Sequence, residues 1–378
     1  MEYYTFDFFS YKILIPRRVD DLRVVFIELT TRCNLNCEMC FKRYWKDSEG
    51  DMDERTFFKI LDDLSEFPNV DVVVFGGIGE PFMHPRIMEF IQEVKSRGYR
   101  LAITTNGTFI SEDLALKIID AGVDTLYFSV DTIPGRETIL GHVEFERTIE
   151  AIRTLQELKQ RLKSKRPLIG IEFVITTDNY KIIPEAMDYF RELGVDSLIL
   201  SNIIPMSEDH ADKIVYDEEH SHDVEKVLSD PRVLKNTHYY RVLLPNFRPH
   251  VERHCRFVES GATVIRHDGE VCPCYRLSHN YVEYIMGRRK EVIMYSFGNV
   301  MERSLREIWT SKEYSLFRYK VLTGLYPSCI DCKLRDFCDF AKSTSVDCWS
   351  NVPSCSECLW YHEIVTCPVP RRMYEDVL

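Results

Sequence analysis

A chain of 378 residues, 45% apolar and 12% aromatic, is large enough to bury a sizeable core, and its length fits two or three domains. Its net charge of −12, with basic residues only in short scattered groups (Arg17–Arg18, Arg288–Arg289–Lys290, Arg371–Arg372), excludes the basic stripe of a nucleic-acid binder. No apolar run reaches the roughly 18 residues that span a bilayer, and the acidic, aromatic start lacks the basic region of a signal peptide.

The elements follow one another in a regular order. A β-branched run, Val24–Leu29, predicts the first strand. Phe57, Ile60, Leu61 and Leu64 recur at helical spacing, and Val70–Phe75 is the next strand. Helix Ile87–Val94, strand Leu101–Thr104, helix Leu114–Ile119 and strand Thr125–Val130 come next. A long helix places Phe145, Ile149, Ile152, Leu155 and Leu158 on one face. Strand Ile169–Ile175, helix Pro184–Leu193, strand Ser197–Leu200 and a helix near Glu218–Leu228 complete six βα units. Strict alternation implies a parallel sheet covered by helices. Six units are too few for a closed eight-stranded barrel, so the α/β fold expected is an open, partial (β/α)6 barrel with its chemistry at the strand C-terminal ends. Past His238 the pattern changes. Thr263–Ile265 and Glu270–Cys272 flank Asp268–Gly269, a hairpin turn signal. The expected division is a lead-in over 1–22, the barrel over 23–235 and a cysteine-rich α+β domain over 236–378.

Thirteen cysteines, an odd number in a chain with no signal peptide, argue against a disulfide framework and for metal binding in a reducing cytoplasm. Three of them form Cys33-x3-Cys37-x2-Cys40 directly after the first strand. Three thiolates hold three corners of a 4Fe–4S cluster and leave one iron open. A structural zinc ion wants four ligands, yet no fourth cysteine or histidine occurs before His84 on that side. Gly76–Gly77–Ile78–Gly79–Glu80–Pro81 ends the second strand, Thr104–Thr105–Asn106–Gly107 the third and Ser129–Val130–Asp131 the fourth. Taken singly, the glycine run reads as a tight turn and Asn106 as a helix cap; Asn179 and Asn202, after strands five and six, are weaker signals of the same kind.

Spacing and placement together resemble the radical S-adenosylmethionine (SAM) superfamily. The resemblance implies that Cys33, Cys37 and Cys40 hold the SAM-binding cluster. It implies that Gly76, Gly77 and Glu80 meet the methionine amino group, and that Asn106, Ser129 and Asp131 line the ribose and its surroundings. Met39 stands where that family often has an aromatic residue. The implied chemistry is reductive cleavage of SAM to a 5′-deoxyadenosyl radical that abstracts hydrogen from a substrate.

Ten cysteines lie beyond His238. Cys255-x13-Gly269-x4-Cys274, Cys329-x2-Cys332-x5-Cys338 and the segment Gly298–Trp309 between them resemble a SPASM domain, which carries one or two auxiliary 4Fe–4S clusters. The resemblance assigns Cys255 and Cys274 to one cluster and Cys329, Cys332 and Cys338 to another. Lys342 stands where a further cysteine is usual, so Cys348 and Cys358 are taken as additional ligands, while Cys272, Cys355 and Cys367 stay unassigned. A zinc ribbon built from Cys329-x2-Cys332 and Cys355-x2-Cys358 is the competing reading.

Three functions fit. The first is a maturase of a protein or its cofactor; the form of the Phe75–Pro81 segment and the cysteine-rich tail resemble the group that accompanies tungsten- or molybdenum-pterin oxidoreductases. Its partners would be that oxidoreductase and a low-potential electron donor such as ferredoxin. The second is a modifier of ribosomal peptides or protein side chains, disfavoured because only 22 residues precede the barrel, too few for a leader-recognition domain. The third is a non-catalytic iron–sulfur electron carrier, which leaves Glu80 and the strand-end motifs unexplained. No general base is legible; His267 and Asp268 read best as a plain turn.

Overall fold

The computed structural model describes residues 2–8, 10–136 and 142–367, so Arg371–Arg372 and the last part of the C-terminal domain lie outside the described residues. The chain opens with the antiparallel hairpin β1 (Tyr3–Phe8) and β2 (Tyr11–Pro16). Then come β3 (Val24–Ile27), α1 (Glu54–Leu64), β4 (Val72–Phe75), α2 (Ile87–Ser96), β5 (Arg100–Thr105), α3 (Glu112–Asp120) and β6 (Thr125–Ser129). The series continues with α4 (His142–Leu162), β7 (Leu168–Ile175), α5 (Ile183–Glu192) and β8 (Ser197–Asn202). All six predicted strands are present, in order and parallel.

The strands read as continuous apolar runs because the sheet is buried on both faces. Phe57, Ile60, Leu61 and Leu64 of α1 are fully buried on the outer face, where Phe57 stacks on Phe90 at 3.8 Å. Alternate residues, Val24 and Phe26, Val72 and Val74, Ala102 and Tyr127, fill the inner face. The in-register pairing of Ile27, Phe75 and Ile103 brings the three following loops to one end of the barrel.

The barrel sheet takes in strands from beyond residue 236. After α6 (Ser221–Leu228) and α7 (Pro231–Asn236), β9 (Arg241–Leu243) pairs in parallel with β8. After α8 (Arg256–Glu259), β10 (Ala262–Ile265) pairs in parallel with β3, and β11 (Val271–Cys272) pairs antiparallel with β10. The predicted hairpin exists, but its first strand also extends the barrel sheet, which has nine strands in the order β11-β10-β3-β4-β5-β6-β7-β8-β9. Sequence periodicity reports burial, not which strand lies alongside, so this edge pairing was not legible. The hairpin β12 (Tyr281–Ile285) and β13 (Arg288–Val292), then α9 (Leu305–Trp309) and α10 (Lys312–Leu322), complete the regular elements. The lead-in is likewise structured: Tyr4 donates to the Thr310 carbonyl at 2.9 Å, and Lys312 lies 5.1 Å from the Phe6 ring.

Gly261 makes the junction of β10 with β3. Its carbonyl accepts from the Arg23 N–H at 2.8 Å, its φ is +62°, and a Cβ there would stand 1.9 Å from the Asp21 carbonyl oxygen. Gly261→Ala therefore combines a left-handed backbone with a backbone clash. It should cost more than about 1 kcal/mol, read as a lower thermal unfolding midpoint; an unchanged midpoint would mean that the junction tolerates a side chain.

Candidate active site

The cysteine loop leaves β3 through Glu28, Leu29, Thr30 and Thr31 and is tied down on both flanks. Thr30 donates to Asp51 at 2.6 Å, Arg32 pairs with Asp51 at 2.7 Å, and the Arg32 carbonyl accepts from the Glu80 N–H at 2.8 Å. The three half-buried thiols face one another closely enough that Cys40 and Cys33 both disfavour ionisation of Cys37. Burial, with those neighbours, pushes the Cys37 thiol up to about 12. The ligating form is the thiolate, so the loop suits a cationic iron centre that supplies the missing charge.

These thiols share one cavity of about 350 Å³ with Gly77, Glu80, Asn106, Ser129 and Asp131. The sequence signals therefore converge, with one correction. Gly76 is not on the cavity wall; a Cβ there would meet the Tyr275 hydroxyl at 2.8 Å, so it serves packing. Ile78 and Gly79 line the wall instead, and Gly79 is required because a Cβ would stand 2.1 Å from the Thr30 carbonyl oxygen.

Glu80 is almost fully buried, and its carboxylate is already engaged. It accepts from the Phe82 N–H at 3.1 Å, the Thr105 hydroxyl at 2.8 Å and the Asn106 N–H at 2.7 Å. Burial still pushes its carboxyl up to about 7. It clamps the β4 loop onto the end of β5 while facing the cavity. Asn106 carries both readings at once. Its Oδ1 accepts from the Thr108 N–H at 3.0 Å as in a turn, while its Nδ2 donates to Asn34 at 2.9 Å and reaches Cys33 Sγ at 3.8 Å. Among the described residues, both carboxylate oxygens of Asp131 are buried without a hydrogen-bond partner, and burial raises its carboxyl to about 7. An orphaned carboxylate on the wall marks a place for a ligand's donor groups, as SAM hydroxyls would provide. Asn179 is structural, donating to the carbonyls of Asp131 and Val174 at 3.0 and 2.8 Å. Asn202 lines the cavity with Oδ1 unpartnered.

Two wall groups were missed. Glu172 is the one charged residue in β7, and among the described residues its carboxylate makes no hydrogen bond or ion pair. Burial pushes it up to about 7. A lone charge in an otherwise apolar strand was a legible signal. Tyr275, with Trp360, Val365 and Thr366, reaches the cavity from the C-terminal region, and this only folding reveals.

The turn at His267–Asp268 is real, with Gly269 donating to the Arg266 carbonyl at 2.9 Å, but His267 also belongs to a buried network. Glu28, 2% exposed, lies 3.5 Å from His267 Nδ1 and 3.0 Å from His279 Nε2. The other ring nitrogen of His279 lies 2.8 Å from Asp47. Both nitrogens of His279 therefore face carboxylates. Burial alone would raise the Glu28 carboxyl, but the two histidines outweigh it and hold it at about 2. The Ile78 N–H donates to Glu28 at 3.4 Å, which carries the network into the glycine loop.

The C-terminal thiols sort into two groups. Cys255, Cys274, Cys355 and Cys358 are enclosed and act on one another electrostatically. Cys348 faces Cys329 and Cys338, and Cys332 closes the same turn as Cys329, its N–H donating to the Cys329 carbonyl at 3.3 Å. Cys355, unassigned from sequence, thus joins the first group. Cys272 is buried in β11 among Arg266, Asp268 and Glu28, away from both. Cys367 lies near Cys255 but sits at the end of the segment that closes the cavity. Lys342, in the place of a usual cysteine, is on the surface, paired with Asp339 at 2.5 Å. The two Cys-x2-Cys turns abut, the Cys329 N–H donating to the Ser356 carbonyl at 3.3 Å, yet their thiols belong to different groups. Among the described residues no three candidate side chains converge tightly enough for a single ion.

A partial parallel barrel with an open-iron thiol triplet at its strand ends defines a radical SAM enzyme, and the comparisons agree. Residues 27–169 match the radical SAM superfamily and residues 255–333 match the SPASM iron–sulfur cluster-binding domain. The chain is 47% identical over 359 residues to the tungsten-containing aldehyde ferredoxin oxidoreductase cofactor-modifying protein of Pyrococcus furiosus, covering 94% of this chain and 100% of that one. The chain belongs to the radical SAM superfamily, in its SPASM-containing branch. It is also 24% identical over 368 residues to the Fe-coproporphyrin III synthase of Methanosarcina barkeri, covering 89% and 88% of the two chains. Two solved structures share the fold. SuiB of Streptococcus suis bound to S-adenosylmethionine has a TM-score of 0.59 at 16% identity, covering 87% of this chain and 73% of that one. The anSMEcpe structure with bound AdoMet has a TM-score of 0.55 at 17% identity, covering 90% and 95%. No helix among the described residues is long and apolar enough to cross a membrane.

His279→Ala should remove the ring that bridges buried Glu28 and partly buried Asp47. The expected cost is about 1–3 kcal/mol of stability, with weaker SAM binding at the Ile78 loop; calorimetry and equilibrium SAM binding check both. Replacing Cys33, Cys37 and Cys40 together by alanine should remove about four irons per chain and abolish 5′-deoxyadenosine formation. Residual SAM cleavage in that variant would place the open iron elsewhere.

Proposed function

We propose that this enzyme matures a tungsten-pterin oxidoreductase, acting on that protein or its cofactor. The observation that carries the reading is the 47% identity sustained over 94% of this chain and the whole of a relative described as modifying such a cofactor. The likeness to SuiB, at 16% identity, supports the fold and gives no such weight to peptide modification.

Three clusters are assigned. Cys33, Cys37 and Cys40 hold the SAM-binding cluster. Cys255, Cys274, Cys355 and Cys358 hold the first auxiliary cluster, and Cys329, Cys332, Cys338 and Cys348 the second, which uses eleven of the thirteen cysteines. Bound at the triplet, a reduced cluster supplies the electron that splits SAM into methionine and the 5′-deoxyadenosyl radical. The chain does the rest. Gly77, Ile78 and Gly79 bring backbone groups against the methionine end, with Glu80 holding that loop to β5. Asn106, Ser129 and Asp131 receive the nucleoside end. Trp360, Val365 and Thr366 close the cavity from the auxiliary side and exclude water. Glu172 is left for the substrate, accepting a proton or hydrogen bond from the group that reacts. The electron donor assigned is a low-potential carrier such as ferredoxin.

The deciding experiment incubates the reconstituted enzyme, SAM and a reductant with tungsten oxidoreductase isolated without this enzyme. Stimulated 5′-deoxyadenosine formation together with gain of oxidoreductase activity is expected. Stimulation by a small peptide and not by the oxidoreductase would select the peptide-modifying reading. In the same assay Glu172→Gln should lower kcat by about 10²- to 10⁴-fold, the usual contribution of a proton-transferring side chain, and leave SAM affinity unchanged. The pH profile of kcat in this variant should lose one titration near pH 7 that the unmodified enzyme shows, since burial pushes the Glu172 carboxyl up to about 7.

A further inference from the structure

The enclosed group of thiols has a neighbour that nothing so far has used. Arg276 follows Cys274 by two residues and is 2% exposed. Its Nε donates to Glu283 Oε1 at 3.2 Å, and its Nη2 donates to the same carboxylate. Glu283, fully buried in β12, is thus matched to one edge of the guanidinium. Nη1 is buried and has no hydrogen-bond partner among the described residues. The charge of Arg276 acts on Cys274, Cys355 and Cys358, three of the four thiols of the group. A buried charged N–H without an acceptor is costly, so Nη1 calls for one.

The other buried cations nearby are paired with Glu357. Lys290 donates to Glu357 at 3.2 Å and to the Ala341 carbonyl at 3.0 Å, and Arg288 donates to the same Glu357. Arg288 and Lys290 face Cys329 of the second group, with their charge balanced in part by Glu357 between Cys355 and Cys358. Arg288 Nε, 3.5 Å from Asp336, is a second buried donor without a hydrogen bond among the described residues, beside the second group, whereas Arg276 Nη1 is the spare donor of the first.

We propose that Arg276 is a positioning and tuning residue of the first auxiliary cluster, donating its free Nη1–H to the cluster's sulfur and raising that cluster's reduction potential. Enclosure alone disfavours adding an electron to a cluster, because the reduced form carries more negative charge away from water. Hydrogen bonds to sulfur and a nearby cation act in the opposite direction. Arg276 supplies both and offsets the enclosure of Cys255, Cys274, Cys355 and Cys358. This rests on the assignment of a four-iron cluster to that group, which iron analysis of the unmodified protein tests separately.

The experiment is a potentiometric titration of the fully loaded enzyme followed by electron paramagnetic resonance, with the SAM-binding and second auxiliary clusters as internal references. Two variants are compared. Arg276→Lys keeps the charge and moves the donor. The double change Arg276→Met with Glu283→Leu replaces the buried pair by apolar groups, a substitution that folded proteins often tolerate. In the double variant the reduced-to-oxidised ratio of the first auxiliary cluster at fixed potential should fall about tenfold, equivalent to 59 mV for one electron. Arg276→Lys should give a smaller fall in the same direction, and the reference clusters should stay put. An unchanged first cluster at full iron content, or an equal shift in all three, overturns the proposal. So does failure of both variants to load iron at this site, which would make Arg276 a structural requirement and not a tuning residue.

Discussion

The structure turns on one buried carboxylate. Glu28 stands where β3 ends and the cysteine loop begins, out of reach of water. A charge in that position is sustained only by donors brought from elsewhere in the chain. They come from both sides: His279 from the C-terminal region, with His267 3.5 Å away, and the Ile78 N–H from the glycine loop. The same contact therefore fixes three things at once: the exit of the cluster-binding loop, the position of the SAM loop, and the docking of the auxiliary domain on the barrel. The parallel pairing of β10 with β3 runs directly beneath it, so the two regions share a sheet as well as an ion network.

That coupling explains why the cavity is a joint product of both regions. The barrel contributes strand ends, and the C-terminal region contributes Tyr275, Trp360, Val365 and Thr366. Tyr275 follows Cys274 in the chain, and its ring packs edge-on against Phe26 at 4.9 Å inside the barrel. A thiol of the first auxiliary group is thus one residue from the wall of the SAM cavity. The second group lies at the other extreme, with Cys348 exposed at the surface. One group of thiols thus adjoins the cavity wall and the other reaches the surface.

Much of the site was legible because the signals were local. A parallel sheet puts the loops after successive strands at one end, so strand-end motifs far apart in sequence had to meet. The errors were also local in kind. Gly76 looked like part of the SAM loop because a glycine pair draws the eye, yet its missing Cβ makes room for Tyr275. The turn reading of His267 was correct for the backbone and silent about the side chain. Cys355 stayed unassigned because four similar cysteines near the end of the chain offer no spacing that singles out one, and only their burial beside Cys274 separates them from Cys348.

By itself the sequence determined the βα alternation, the three-thiol loop and the presence of further metal-binding cysteines, because each depends on residue type and spacing over a short stretch. Tertiary structure decided which thiols stand together, that β10 completes the barrel edge, that Glu28 is held between two histidines, and that Arg276 keeps one donor free beside the enclosed thiols. These depend on contacts between residues tens to hundreds of positions apart, and no periodicity in the chain encodes them.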